Sequence, residues 1–400
     1  MNNTRPLAIL GAAQAFAEPL HVGRPNIGDR ERLMARLNDM LDRRWLTNNG
    51  PYVQELERNL ERILGVKHCI AMCNATVALE IVIRALELKG EVIVPSFTFI
   101  ATAHALQWQE ITPVFCDVDP ATHTLDPYRV EELITPRTTG IIGVHVWGRP
   151  CNIKALAEIA QRRQLKLLFD AAHAFGCTAG GRHIGNFGDA EVFSFHATKF
   201  FNAFEGGAVT TNDDALAAKI RLMKNFGFSG YDNVIYIGTN GKMSEASAAM
   251  ALTSLESLDS FIATNRANHE TYAATLADLP GLKLVRYDGT ERNNYQYVVV
   301  EVNESQAGLN RDELIKVLHA ENVIARRYFY PGCHRMEPYH SFFPHARLLL
   351  PHTEALADRV LVLPTGTAVN SRDIGTIGDI LSSAIANAPV VRAHEEQGGQ

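Results

Sequence analysis

Between residues 29 and 63 apolar side chains recur at helical spacing, with Leu33, Leu37 and Leu41 behind Asp29, then Leu56, Leu60 and Ile63. That rhythm gives a helix one apolar side, and an aspartate just before it can accept from free first-turn amides, so the chain is predicted to open with helices. From residue 68 the rhythm changes. Short apolar or β-branched runs cover His68 to Met72, Glu91 to Val94, Pro113 to Val118, Gly140 to Val146, Leu165 to Asp170, Val192 to Phe195 and Ala208 to Thr211, with helix-patterned stretches between most of them. Strands apolar on both faces and separated by helices predict an α/β fold with a mainly parallel, seven-stranded sheet between helices. Ligands of such sheets collect at the carboxyl ends of the strands. Helical patterning then dominates from Asp213 to about Arg266, after which Leu282 to Tyr287, Tyr295 to Val302 and Val323 to Tyr328 read as strands of a smaller α+β domain.

At 400 residues and 46% hydrophobic content the chain exceeds what one core usually serves. The expected division is an N-terminal extension (1–28), a large domain (29–262), a small C-terminal domain (263–390) and a flexible tail (391–400), polar from His394 onward. A formal net charge of -6 without a long basic run argues against nucleic acid or an anionic membrane as principal partner, and for a small molecule. Cys69, Cys73, Cys116, Cys151, Cys177 and Cys333 lack metal-site spacing and read as reduced core residues. With no basic-then-apolar leader and no apolar window approaching the roughly 20 residues that span a bilayer, the expected location is cytoplasmic.

Chemistry enters at the strand ends. Asp170 closes an almost wholly apolar run, where a carboxylate either caps the next turn or serves a ligand. Lys199 stands among Phe193, Phe195, Phe200, Phe201 and Phe204; such a setting desolvates an ammonium and frees its amine, whereas an ordinary loop lysine keeps its head in water. A lysine can form a Schiff base with an aldehyde, and a carboxylate can keep a pyridine nitrogen protonated, so the pair suggests a pyridoxal phosphate site. Ser194 can donate to a phosphate oxygen, and Asn74-Ala75-Thr76, between a strand and the helical run Val77 to Leu88, is either a plain cap or a phosphate seat. Phe99 is either a core aromatic or a plate for a flat heterocycle, and His173 either a satisfied structural imidazole or a group near the ring or substrate. Gly238 to Glu245 reads as a turn before a helix. Arg326, Arg327, Tyr328 and Pro331 to Arg335 either meet substrate carboxylates or phosphates or line a solvated edge. No GxGxxG after a strand, GxxxxGK, Gly-x-Ser-x-Gly or HExxH occurs, so nicotinamide, P-loop and hydrolase readings lose their support.

Taken in order, Leu46-Thr47-Asn48-Asn49-Gly50-Pro51, Cys73-Asn74-Ala75-Thr76, Pro95-Ser96-Phe97-Thr98-Phe99, Asp117-Val118-Asp119, Asp170-Ala171-Ala172-His173-Ala174, Ser194-Phe195-His196-Ala197-Thr198-Lys199 and Glu205-Gly206-Gly207 resemble the DegT/DnrJ-type sugar aminotransferases over roughly residues 20 to 385. The resemblance implies the fold type I architecture of pyridoxal phosphate-dependent transferases. It implies that Lys199 binds the cofactor aldehyde and carries protons, that Asp170 pairs with the pyridine nitrogen, and that Phe99 stacks on the ring. Ala75, Thr76 and Ser194 would hold the phosphate, His173 would lie near the ring hydroxyl, and Asn240 would reach the phosphate from the other subunit of a homodimer with shared active sites. His145, Tyr328 and His334 fall on the substrate side. Many relatives have Ser-Gly-Thr or Ser-Gly-Ser where this chain has Asn74-Ala75-Thr76, which leaves the helix-terminus amides in place.

The implied reaction passes an amino group from L-glutamate through pyridoxamine 5'-phosphate to a nucleotide-linked keto sugar. The Trp45 to Pro51 and Tyr328 to Tyr339 stretches look most like enzymes that aminate C4, which points to dTDP-4-keto-6-deoxyglucose becoming dTDP-4-amino-4,6-dideoxyglucose. A 3-keto sugar aminotransferase, a sugar dehydratase on the same cofactor and a non-catalytic sensor are the alternatives; the family's dehydratase branch has histidine in place of the lysine, and this chain keeps Lys199.

Overall fold

A computed structural model describes residues 5–398. Its centre is a seven-stranded sheet in the order His68–Met72, Gly207–Thr211, Ala190–Ser194, Lys166–Asp170, Thr138–Val144, Glu91–Pro95, Thr112–Cys116. All strands run parallel except Gly207–Thr211, which is antiparallel to both neighbours. The predicted sheet is therefore present, with ends shifted by a residue or two. Its central strands are buried along almost their whole length, as continuous apolar runs require when helices cover both faces.

The opening helices form for the predicted reasons. Asp29 caps Arg30–Arg43, its carboxylate accepting from the Arg32 amide at 3.0 Å, and Leu33 is buried beneath. In Pro51–Leu64 proline starts the helix and Gly65, at φ 67°, ends it; Leu56 and Leu60 are buried, while Leu64 rather than Ile63 completes the buried stripe.

Both terminal segments, as far as they are described, join the small domain. In residues 5–28, Leu7 and Leu20 are buried in the small-domain core, Leu20–His21 pairs with Val323–Ile324, and the amides of Ala8 and Ala15 both donate to Glu321 at 2.7 Å. Residues 391–398 continue the helix Ala388–Gly398, whose Ala388 and Val391 are buried in the same core. Its Arg392 pairs with Glu313 at 2.9 Å, and also with Glu304. Residues 399 and 400 lie outside the described residues.

The small domain contains an antiparallel sheet of Leu282–Leu284, Val298–Val302 and Val360–Leu363. Val360–Leu363 was not among the predicted strands; it follows the helix Pro351–Arg359 with no turn residue between, so periodicity reads straight through. The helix Leu258–Thr275 crosses the expected boundary at 262, placing Phe261 in the large-domain core and Tyr272 in the small-domain core. Among the described residues no single helix is long and apolar enough to cross a membrane.

Candidate active site

The carboxyl ends of Lys166–Asp170, Ala190–Ser194, Glu91–Pro95 and His68–Met72, with the start of the antiparallel Gly207–Thr211, bring the candidate residues to one edge of the sheet. Asp170 is buried there. Its Oδ2 accepts from Thr102 Oγ1 at 2.8 Å and its Oδ1 from the Ala172 amide at 3.1 Å, and among the described residues no cation lies within hydrogen-bond distance. Burial raises its pKa above the ordinary carboxylate value, against those two hydrogen bonds and the charge of Lys199. A carboxylate so placed lacks the charged partner that would repay its desolvation.

Lys199 is half-buried, on a loop pinned by its own amide to His196 O (2.8 Å), by Phe200 N to Gln296 Oε1 (3.1 Å) and by Ala203 N to Phe195 O (2.8 Å). The neighbouring phenylalanines pack on one another, Phe195 meeting Phe201 edge-on at 4.8 Å and Phe175 lying 4.4 Å from Phe201, and the ring nearest the amine is Tyr297, its centroid 5.9 Å from Nζ. Burial lowers the lysine's pKa to about 8, against the pull of Asp170 and Tyr328. Its Nζ donates to Tyr297 Oη at 3.3 Å. An amine in this state is available as nucleophile and base near neutral pH.

His173 is buried among Trp147, Phe329 and Tyr297, with ring centroids 6.0, 5.8 and 4.5 Å away. Its Nδ1 accepts from the Trp147 amide at 3.2 Å, so the neutral ring carries its proton on Nε2. Burial, and then Lys199, hold its pKa well below the ordinary histidine value. The ring is therefore a fixed neutral donor.

The helix Ala75–Ala85 begins with Asn74 as cap, whose Oδ1 accepts from the Val77 amide at 2.8 Å. Among the described residues the amides of Ala75 and Thr76 have no acceptor, at a positive helix end, as an anion seat requires. Gly207 keeps that seat clear, since a Cβ there would come within 2.8 Å of the Ala75 nitrogen. Ser194 is half-buried, its Oγ accepting only a long bond from the His196 amide at 3.4 Å. Phe99 is 59% exposed, which excludes the core-aromatic reading, and Tyr328 faces the edge of the Tyr297 ring at 6.2 Å. Asn240 is exposed; its own carbonyl faces Cys73 Sγ at 3.8 Å, and its side chain has no hydrogen bond among the described residues.

Two expected substrate-side residues have their ring nitrogens engaged within the protein, although His145 adjoins Asp170, its amide donating to the Asp170 carbonyl at 3.0 Å. His145 is completely buried, its Nε2 donating to Glu191 at 3.0 Å and its Nδ1 accepting from the Cys151 amide at 3.0 Å. His334 is buried with Nδ1 on Ser96 Oγ at 2.6 Å and Nε2 on Glu354. With both ring nitrogens occupied, neither has a polar atom left for a substrate. Conversely, Thr102, Trp147, Tyr297 and Phe329 shape the site without having been singled out. Tyr297 is 98 positions from Lys199, and no local pattern joins them.

Residues 28–382 match the DegT/DnrJ/EryC1/StrS aminotransferase family. The chain belongs to this family. The aminotransferase is 41% identical over 314 residues to a dTDP-4-amino-4,6-dideoxy-D-glucose transaminase of Shigella dysenteriae, covering 78% of this chain and 85% of the relative. It is 34% identical to a GDP-perosamine synthase of Caulobacter vibrioides, covering 90% and 96%. The crystal structure of DesI in the presence of its TDP-sugar product superposes with a TM-score of 0.93 at 52% identity, covering 98% of the aminotransferase and 99% of that chain. The architecture is fold type I of the pyridoxal phosphate-dependent transferases, as the resemblance implied.

Proposed function

We propose that the aminotransferase moves an amino group from L-glutamate to C4 of a nucleotide-linked 4-keto-6-deoxyhexose, converting dTDP-4-keto-6-deoxyglucose to dTDP-4-amino-4,6-dideoxyglucose. The observation that carries the proposal is the pairing of a half-buried Lys199, its pKa lowered to about 8, with the buried Asp170, which has no cation at hydrogen-bond distance among the described residues. The relative at 41% identity supports the sugar and the carbon aminated. The residues fit pyridoxal 5'-phosphate. When bound, that cofactor supplies an aldehyde to take up the amino group, as pyridoxamine 5'-phosphate, and a protonated pyridine ring to accept electrons.

Asp170 would hold the proton on the pyridine nitrogen, gaining the charge partner it lacks. His173 would donate from Nε2 to the ring hydroxyl oxygen. The amides of Ala75 and Thr76, with Ser194 Oγ, would bind the phosphate, and Phe99 would cover one face of the ring. The free amine of Lys199 takes the proton from Cα of glutamate in one half-reaction and delivers a proton to C4 of the sugar in the other. Tyr297 Oη holds that amine in reach, and burial keeps it from full hydration.

A homodimer would complete the site through Asn240. That reading is supported by the exposed apolar side chains just before it, among them Phe226, Tyr231, Ile235 and Ile237, which a second copy would cover. Tyr328 remains the substrate-side residue of the three proposed.

The test is to combine the protein, pyridoxal phosphate and glutamate with 3-keto and 4-keto nucleotide sugars and identify products by mass and NMR. Amination of 4-keto sugars only when glutamate is present is expected. A deoxygenated product formed without glutamate would assign a dehydratase, and reaction of 3-keto sugars alone would overturn the regiochemistry.

A further inference from the structure

Beside Phe99 a cavity of about 400 Å³ lies between the end of the Glu91–Pro95 strand and the small domain. Its walls are mostly apolar or aromatic, with Phe99, Ile315, Ile324, Tyr328 and Tyr330 among them, and two arginines reach it. Arg327 is already engaged, paired with Asp312 at 3.2 Å and lying 4.4 Å over the Tyr330 ring. Arg326 differs. Its guanidinium lies 5.4 Å over the Tyr328 ring and has no carboxylate partner among the described residues. Its backbone amide and carbonyl pair with Val362 at 3.0 and 2.8 Å, fixing where the side chain departs. Tyr328 in turn is close enough to Lys199 for each to shift the other's pKa. A cation with no carboxylate partner among the described residues, its side chain hydrogen-bonded to the Tyr328 hydroxyl, therefore stands one aromatic ring away from the reactive amine.

We propose that Arg326 binds the diphosphate of the nucleotide-linked sugar, with the nucleoside lying in the aromatic cavity. The inference rests on the preceding reading that the amino acceptor is such a sugar. A guanidinium presents five N–H donors in a planar fork that matches two phosphate oxygens, and its contact with Tyr328, a ring face and one hydroxyl, positions the fork while leaving donors over. The cavity volume lies within the range of small-molecule sites, and its ring-lined walls suit a flat base and a ribose. Glutamate fits less well, because its second carboxylate would enter apolar walls without a partner.

The measurement is calorimetric titration of the holoenzyme with dTDP, alongside KM values for each substrate, in the parent, Arg326→Ala and Arg326→Lys. Loss of one charge-assisted contact should weaken dTDP binding by about tenfold or more and raise KM for the nucleotide sugar by a similar factor. KM for glutamate should hold, and lysine should restore part of the loss. The arginine is exposed and its strand contacts are backbone atoms, so the variants should fold. Unchanged dTDP binding in Arg326→Ala would overturn the inference, and so would a rise confined to KM for glutamate, which would give the arginine to the amino donor. A parent that binds dTDP through Arg326 yet aminates no nucleotide sugar would sink the functional reading while keeping the site.

Discussion

Two regions adjoin at the sheet edge, joined where the His145 amide donates to the Asp170 carbonyl at 3.0 Å, and they differ in what their polar atoms have left to do. The His145–Glu191 region is here the lower and the Asp170–Lys199 region the upper. Below, Glu191 accepts from His145 at 3.0 Å, from the Phe187 amide at 3.0 Å and from the Gly185 amide, while His145 also accepts from Cys151 and stacks on Phe169 at 4.6 Å. Every strong valence there is spent. Above, among the described residues, Asp170 has two neutral donors and no cation at hydrogen-bond distance, His173 has used only Nδ1, and Lys199 has only a long bond to Tyr297. Burial alone does not mark an active residue. A buried group whose bonding capacity is still open does.

The largest effect should come from the upper region. Lys199→Ala should lower turnover by about a thousandfold or more, because one amine serves both half-reactions, and should abolish the visible absorbance of lysine-bound cofactor. A variant with ordinary turnover would end the contrast. The lower region should answer differently. Glu191→Ala strands three donors in the interior and should cost about 3 kcal/mol or more of stability in chemical unfolding, with kcat per folded molecule near that of the parent. Unchanged stability, or activity lost at full stability, would show that the two regions are not separable.

The same contrast explains what could be read from the chain. The sheet was legible because its strands are uninterrupted apolar runs, and Asp170 and Lys199 because a charge in or beside such a run is conspicuous. His145, His173 and His334 are equal as letters; only the partners at Glu191, Trp147, Ser96 and Glu354 tell them apart, and those partners come from distant strands and loops. Thr102 and Tyr297 were missed because their roles exist only across 68 and 98 positions of chain. Val360–Leu363 was missed because a strand that follows a helix without a turn leaves no break in pattern.

Asp170 tests the contrast at intermediate scale. Asp170→Ala should weaken cofactor binding and slow the proton shift by about ten- to a hundredfold, since the ring would lose the group that keeps it protonated while the lysine remains. Single-turnover absorbance with glutamate would measure it, and parental rates would remove Asp170 from the mechanism.

The smallest change separates position from chemistry. In the protein free of cofactor, labelling of Lys199 by an amine reagent should rise through about pH 8, because the neutral amine reacts and burial lowers the pKa from the ordinary lysine value of 10.5. Tyr297 Oη accepts from Nζ and so favours the charged ammonium over the neutral amine. Tyr297→Phe should therefore shift the labelling midpoint further down, by about half a pH unit, and cost about threefold to tenfold in turnover as the amine loses its tether. A midpoint near 10.5 in the parent would mean that burial does not desolvate the lysine. A midpoint that rises in the variant would mean Tyr297 holds the neutral amine instead, reversing the direction in which it tunes the base.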